Sequence, residues 1–517
     1  MNELLTQLRR TAHTFGERVA LSDRDGKYTY SGLVTAVDSL AEELSQRGIS
    51  RAALLADNSP AWVIADLACL RAGVTLTAIP HFFSAEQVVN ALNNCAAEVL
   101  ISDRAASDPQ LRGVLFSAGA VTEFKSVGML RGFPLTVSGT STMLPINTVK
   151  IAYSSGSTGA PKGVCLSVGN LYGTAEAIND ALAKVSLKKH MAVLPLATLP
   201  ENISGVYAAL LRGAEVVVPS LQSLGWAAGS GLDMSLFTDS ISLWQPDSLV
   251  ILPQILKELI AVVEQGGWEP PVCLRYVAVG GLRISSDHVR QARDLGIPVY
   301  EGYSVSECGS VVSLNTPEAE CLGSAGKILS HQVVDIVDGE VVIKGSLFLA
   351  YLGGEALEPG KEFMTGDLGE VDDAGFLWVK GRKTNLITSS YGQKISPEWP
   401  ESELLAYAGV AQCVIIGDAE AYCSALVFVN PGYSYDDIGR YIRECNQRLP
   451  DYAQIRRWAA LPKRLTAADG LLTASGRLQR EAIVRAYPEL VAHCYPGIVY
   501  PIGGAQRAFI PSEKSGD

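Results

Sequence analysis

Residues 154–163, SSGSTGAPKG, gather three glycines, four hydroxyl side chains and one lysine into ten positions. In such a run the glycines let backbone N–H groups turn inward, the hydroxyls add donors, and the lysine offsets negative charge. That is the chemistry of gripping phosphate. The plainer reading is a solvent-exposed loop. The run is not the common phosphate loop G-x-x-x-x-G-K-[ST], because Gly163 follows Lys162. Its place directly after the apolar stretch IAY favours phosphate. Other chemistry is less in evidence. His13, His81, His190, His288, His331 and His493 show no H-E-x-x-H and no paired spacing, so they read as structural, and zinc catalysis is not expected. No Ser-His-Asp arrangement follows from spacing. The ten cysteines contain no C-x-x-C and read as buried free thiols of a reducing compartment.

Strands alternating with helices must position that loop. KYTY reads as a strand, Ser31 as the cap of a helix carrying Leu33, Val37, Leu40 and Leu44 on one face, and Gly48 as its stop. AALLAD, then a helix around residues 62–71 stopped by Gly73, then VTLTAI repeat the pattern. AEVVVPS, PDSLVILPQILKELIAVVEQ and LRYVAVGG continue it, which implies crossover units and parallel sheet. From about residue 330 the texture changes. VDIVDGEVVIKG and GEVDDAGFLWVKGR read as antiparallel hairpins, the first around an Asp-Gly turn. After Arg382 a smaller α+β unit follows. A chain of 517 residues, 48% hydrophobic and 19% charged, suits two or three ordinary folded domains. Its net charge of −12 argues against a nucleic-acid partner. The most apolar window carries Asp66 and Arg71 and the N-terminus lacks a signal-peptide core, so no membrane span and a cytoplasmic location are expected.

YSSGSTGAPKG resembles the phosphate loop of the adenylate-forming superfamily, which includes acyl-CoA synthetases, non-ribosomal adenylation domains and firefly luciferases. YEGYSVSECG (residues 300–309) is similar to that family's G-Y-G-x-T-E, FMTGDLGEVDDAGFLWVKGRKTNLI (363–387) to its T-G-D…G-R-x-x-D, and YGQKISPEWPESEL to its G-x-x-I-x-P-x-E stretch. Order and spacing hold from about residue 10 to residue 485. The resemblance implies an α/β fold: a large N-terminal domain (1–381) of parallel-rich sheets with helices and a small β-barrel-like part, a small mobile α+β C-terminal domain (382–495), and a tail (496–517). It implies ATP and Mg2+ as cofactors. Ser154, Ser155, Gly156, Ser157, Thr158, Gly159 and Lys162 would hold the β- and γ-phosphates. Glu307 would be the metal ligand, and Lys162, Glu307 and Arg477 the catalytic set. Tyr303 would stack on adenine beside Gly280 and Gly281, with Glu301, Gly302 and Ser306 completing the nucleotide site. Asp367 would accept from the ribose hydroxyls, and Arg382 would reach ribose or phosphate.

Two departures from the family pattern matter. The interdomain pivot is usually charged; here it is Thr384, beside Lys383. The family's late lysine, in T-x-x-G-K-[IL]-x-R, is Arg477 in LLTASGRLQR. Three readings follow: Arg477 serves in place of lysine, Lys463 or Lys394 swings in, or adenylation is weak or lost. The stretch after Leu194, LPLATLPENISGVYAALLRGA, lacks the aromatic or histidine of many relatives and most resembles long-chain fatty acyl ligases. Leu199, Asn202 and Gly205 would line the acyl pocket. The expected substrate is therefore a small-molecule carboxylic acid, medium- or long-chain, activated as acyl-AMP and passed to a thiol. That thiol is coenzyme A or the phosphopantetheine of an acyl carrier protein. The alternatives are a catalytically weak nucleotide- or acyl-AMP-binding protein, and a stand-alone amino-acid adenylation enzyme with Glu201 facing the ammonium.

Overall fold

The apolar runs of the first half build two mostly parallel sheets. The computed structural model describes residues 2–103, 122–124, 130–135, 143–154, 161–227, 231–281, 283–358, 360–473 and 476–495. In one sheet Val99–Ser102, Arg51–Leu55, Thr75–Ala78 and Lys150–Ser154 run parallel, and Lys162–Leu166 returns antiparallel to Lys150–Ser154. In the other, Val19–Ser22, Glu215–Val217, Lys189–Met191, Ser248–Ile251, Tyr276–Val279 and Val299–Val305 run parallel. The helix Pro60–Ala72 is buried on every side through residue 70 and apolar there but for Asp66, as a helix sealed inside a layered α/β core must largely be. Gly73, at φ 72°, ends it in the left-handed conformation that glycine takes without strain.

The helix after KYTY spans Tyr30–Gln46, and its cap differs from expectation. Thr29, not Ser31, accepts from the Gly32 N–H, because the extended backbone lies at Thr29 (φ −72°, ψ 167°) and Ser31 is already in the first turn. Both hairpins form. Gln332–Val337 pairs with Glu340–Gly345 across Asp338 (φ 51°) and Gly339 (φ 79°), the two left-handed residues of a type I′ turn. Phe363–Val371 pairs with Leu377–Arg382, and the four strands form one antiparallel sheet. That sheet is stitched to the larger one by the Ala325 N–H to the Leu377 carbonyl (2.7 Å) and the Leu377 N–H to the Gly326 carbonyl (3.0 Å). Val305, Val312, Val341 and Leu377 fill the space between.

The C-terminal domain is smaller. Val410–Ile416, Cys423–Val429 and Ile455–Ala460 form its three-stranded sheet. Its buried Glu401 receives both guanidinium arms of Arg480, at 2.5 and 2.6 Å. It sits against the large domain through Arg448–Asp287 (3.1 Å) and the Arg283 guanidinium 5.5 Å from the Trp399 ring centre. The Lys257 ammonium also donates to the Val410 carbonyl. The ten cysteines form no disulfide. Among the described residues no helix is long and apolar enough to cross a membrane.

Candidate active site

The strand ends of the second sheet, the antiparallel sheet and the C-terminal domain meet around Asp367. Thr365 and Glu340 shape the turn that presents it: Thr365 Oγ1 accepts from the Asp367 N–H (3.0 Å) and Glu340 from the Gly366 N–H (2.9 Å). Asp367 lies opposite Arg382 in the strand register, and Arg382 Nε donates to Asp367 Oδ1 at 2.8 Å. Tyr303 Oη donates to Oδ2 at 2.5 Å. Burial, then the Asp367 charge, push the Tyr303 phenol well above its ordinary pKa, so it stays a donor. Glu307 follows in the single turn Ser306–Cys308 and accepts from Tyr351 Oη at 2.7 Å. Lys162 Nζ lies 5.1 Å from the centre of the same Tyr351 ring. Tyr351 therefore joins Lys162 to Glu307, a link that sequence reading missed.

Arg477 reaches this cluster from the C-terminal domain. Its main chain closes a tight loop on Thr473, through the Thr473 N–H to the Arg477 carbonyl (2.7 Å) and the Arg477 N–H to Thr473 Oγ1 (3.0 Å). Burial lowers the pKa of its guanidinium, as does Arg382 beside it, while Asp367, Glu307 and Tyr303 act the other way. Those five groups thus share one electrostatic neighbourhood. Lys463 is exposed and bonded to Asp469 at 3.0 Å, and Lys394 is exposed.

The remaining candidates are scattered. Ser155, Gly156, Ser157, Thr158 and Gly159 lie outside the described residues; Ser154 ends its strand opposite Lys162. Gly280 passes so close to Gly302 that a Cβ on Gly280 would sit 2.9 Å from the Gly302 carbonyl, and Gly281 has φ 99°. The Glu301 carboxylate accepts from the Gly323 N–H at 3.3 Å and is pushed up to about 7 by burial. Thr384 is exposed in the turn Lys383–Asn385, next to the Lys383–Glu340 ion pair (2.9 Å).

A cavity opens beside Gly280, Gly302 and Tyr303 and runs along the second sheet, enclosing about 920 Å³ including its mouth. Gly205 lines it; Leu199 and Asn202 do not. Asn202 lies in the π-helix Pro200–Tyr207, whose wider turn departs from the spacing of an α-helix, and meets Lys150 at 2.5 Å. Leu199, just before that helix, is buried in the core. Glu201 is buried and occupied, accepting from the Val193 and Leu194 N–H groups (3.1 and 2.8 Å) and bonded to His190 Nε2 (2.8 Å). His190 in turn lines the cavity, a contribution from the preceding strand that a search after Leu194 could not find. A Cβ on Gly205 would stand 2.2 Å from Glu201 Oε1 and 2.4 Å from His190 Nε2. Gly205→Ala is therefore expected to break this pair and raise the KM for the acid by roughly tenfold, an overpacking penalty of about 1–3 kcal/mol. Steady-state pyrophosphate release with the acid varied checks it, and an unchanged KM would refute it.

Family comparison decides the kinship. The model of the AMP-binding enzyme family matches residues 8–350, and that of the AMP-binding enzyme C-terminal domain matches residues 384–498. The chain belongs to the AMP-binding enzyme family. This AMP-binding enzyme is 27% identical over 494 residues to a 2-succinylbenzoate–CoA ligase of Bacillus velezensis, with 90% of the chain and 95% of the relative covered. It is 23% identical to the long-chain-fatty-acid–CoA ligase FadD15 of Mycobacterium bovis, with 84% and 86% covered. Its fold matches O-succinylbenzoate coenzyme A synthetase from Bacillus subtilis in complex with ATP and magnesium ion (TM-score 0.73, 24% identity, 92% of this chain and 98% of that one). It also matches an anthranilate CoA ligase, AuaEII, in complex with anthranoyl-AMP (TM-score 0.77, 19% identity, 93% and 96% covered).

Glu307 fits a magnesium ion held mainly by substrate phosphates. Among the described residues no group of three or more His, Cys, Asp or Glu could cage a metal, and a hard cation carried by a triphosphate needs only one or two protein carboxylates.

Proposed function

We propose that this AMP-binding enzyme uses ATP to activate a hydrophobic carboxylic acid as its acyl-adenylate and then transfers the acyl group to the thiol of coenzyme A. The observation that carries the reading is the junction at Tyr303: one side meets Asp367, Arg382 and Arg477, and the other opens into the apolar cavity beside Gly280 and Gly302. An acid lying in that cavity would bring its carboxylate to the edge of the nucleotide site. The reaction joins two anions, so the site must offset charge and hold both groups in line. Asp367 takes the ribose hydroxyls with lone pairs left over by Tyr303 and Arg382. Lys162 and the glycine-rich loop hold the outer phosphates. Glu307 would hold magnesium, which neutralises the triphosphate. Arg477 faces the α-phosphate and the attacking carboxylate, and it stands for the family's lysine.

The substrate class we favour is a medium- or long-chain fatty acid, on the apolar cavity and the kinship with FadD15. The 2-succinylbenzoate–CoA ligase relatives favour a second reading, an aromatic keto acid. An amino acid is less well supported, because Glu201 is already taken by His190 and two backbone N–H groups. For the second half-reaction the C-terminal domain turns on a boundary near residues 381–382, with Thr384 as pivot. The unpaired cysteines suit a reducing, cytoplasmic setting.

Pyrophosphate release is measured with ATP, Mg2+ and decanoate, palmitate, 2-succinylbenzoate or free amino acids, followed by thioester formation with coenzyme A or a carrier protein. Release with a hydrophobic acid and a coenzyme A thioester is expected. ATP binding without release for any acid would leave a nucleotide-binding protein and overturn the proposal.

A further inference from the structure

The Glu340 side chain is 5% exposed, and its two oxygens serve different parts of the fold. Oε1 accepts from the Gly366 N–H at 2.9 Å, and Oε2 accepts from Lys383 Nζ at 2.9 Å. Gly366, at φ 74°, turns the chain into Asp367, and Glu340 lies opposite Leu368 in the strand register, one residue past that aspartate. Two further contacts hold the same turn. Thr365 Oγ1 donates to the Val341 carbonyl at 2.8 Å, and the Gly369 N–H donates to the Gly339 carbonyl at 3.0 Å. The stretch Gly339–Val341 therefore grips the Asp367 turn at three points, and of the three only the Glu340 contact is made by a charged side chain.

The second oxygen reaches the hinge. Arg382 and Lys383 are the last two residues before Thr384, and each is tied to the large domain, Arg382 to Asp367 at 2.8 Å and Lys383 to Glu340. Just past Thr384 the attachments change sides. Asn385 Nδ2 donates to Glu398 Oε1 at 2.6 Å, and Ser396 Oγ donates to Glu398 Oε2 at 2.8 Å, at the start of the helix Glu398–Leu405 of the C-terminal domain. Thr384 thus stands between an anchor on each domain. Lys383 is 59% exposed, so its ion pair contributes little to global stability; its effect is to fix the near end of the hinge. Glu340 depends on both partners, because a buried carboxylate left with a single N–H is poorly compensated.

We infer that Glu340 is a positioning residue that couples the hinge of the C-terminal domain to the ribose site. One oxygen sets the turn that presents Asp367, and the other clamps the last residue before the pivot. The C-terminal domain then turns about Thr384 while the ribose of the adenylate stays held. The inference rests on the two-step reaction and the Thr384 pivot proposed above.

Three variants separate the two roles. Glu340→Gln keeps an acceptor for the Gly366 N–H and removes the charge that holds Lys383, Lys383→Met removes the ammonium alone, and Glu340→Ala removes both contacts. Two ratios are read on each protein, so a general loss of folded enzyme cancels. The first is kcat/KM for ATP over that for 2′-deoxy-ATP in pyrophosphate release, which reports the grip on ribose. The second is thioester formed per pyrophosphate released, which reports whether the adenylate survives the domain turn. Glu340→Ala is expected to lower the ATP preference by roughly 5-fold, the scale of one hydrogen bond, whereas Glu340→Gln and Lys383→Met leave it within about twofold. All three are expected to lower the thioester yield by roughly 3- to 10-fold. An ATP preference unchanged in Glu340→Ala, or a thioester yield unchanged in both Glu340→Gln and Lys383→Met, overturns the inference. If no acid releases pyrophosphate, the activation reading fails, and this one is decided separately. Calorimetry then compares ATP with 2′-deoxy-ATP, and trypsin reports the hinge by its cleavage after Arg382 and Lys383. An ATP preference weakened in Glu340→Ala together with faster hinge cleavage in Glu340→Gln upholds it, and wild-type behaviour in either sinks it.

Discussion

Replacing Arg477 by alanine is expected to slow acyl-adenylate formation by about 100-fold or more, the scale for removing one preorganised group aimed at developing charge. Arg477 enters from the C-terminal domain into a neighbourhood already holding Arg382, Asp367, Glu307 and Tyr303. Arg382 is spent on Asp367 at 2.8 Å, so it cannot also follow the transferring phosphate without letting go. Arg477 has no ion pair of its own among the described residues, which leaves its fork available. Arg477→Lys keeps the charge but shortens the arm and removes the planar pair of donors, so an intermediate rate is expected. Arg477→Gln should behave like alanine if charge matters, and like lysine if only hydrogen bonding does. The measurement is the pre-steady-state rate of pyrophosphate release at saturating ATP and acid. A rate in Arg477→Ala equal to wild type would remove Arg477 from the chemistry and return attention to Lys463 and Lys394. Thioester formation from pre-made acyl-adenylate is the control, since that half involves no attack on the α-phosphate.

Much of this site could be read from the chain, and what could not has identifiable causes. The Asp338–Gly339 turn, the paired strands that carry Asp367 and Arg382, and the stop at Gly73 are local: each follows from a few adjacent residues whose torsions leave little choice. The Thr29–Ser31 ambiguity is also local, but two hydroxyls competed and only the backbone angle at Thr29 settles it. Tyr351 was out of reach because its value lies in joining Lys162 to Glu307, residues 189 and 44 positions away by simple subtraction. The acyl-pocket residues divide for a different reason: Gly205 lines the cavity with Ser204, whereas Asn202, in the same π-helix, turns to Lys150 and Leu199, just before it, is buried in the core. No pattern of residue types announces a π-turn. What Asn202 does instead is tied to a deeply buried charge.

That charge is Lys150, whose side chain is 1% exposed, paired with Asp66 at 0%. The ammonium has three N–H donors and three partners: Asp66 (2.8 and 2.9 Å to its two oxygens), Asn202 Oδ1 (2.5 Å) and Tyr207 Oη (2.9 Å). Tyr207 and Asn202 in turn donate to Asp66 Oδ2, at 2.7 and 3.0 Å. Burial pushes the Lys150 ammonium below its ordinary pKa, and Asp66 opposes that shift. Lys150 begins the strand that leads into the glycine-rich loop, and Asn202 and Tyr207 belong to the π-helix beside the acid cavity. One ionic knot therefore ties the phosphate-side strand to the acid-side helix. Lys150→Met is expected to destabilise the large domain by about 3–5 kcal/mol, because it strands a buried carboxylate, and Asp66→Leu by a similar amount. The double variant should recover most of the loss, since replacing both charges removes the desolvation penalty that either one alone leaves behind. Denaturant midpoints of the four proteins give the coupling directly. Single variants within about 1 kcal/mol of wild type would mean that water or a shifted pKa already relieves the pair, and the knot would then hold nothing. If the coupling is large and the stable double variant still loses affinity for both ATP and acid, the two half-sites are aligned through Lys150 rather than merely built near it.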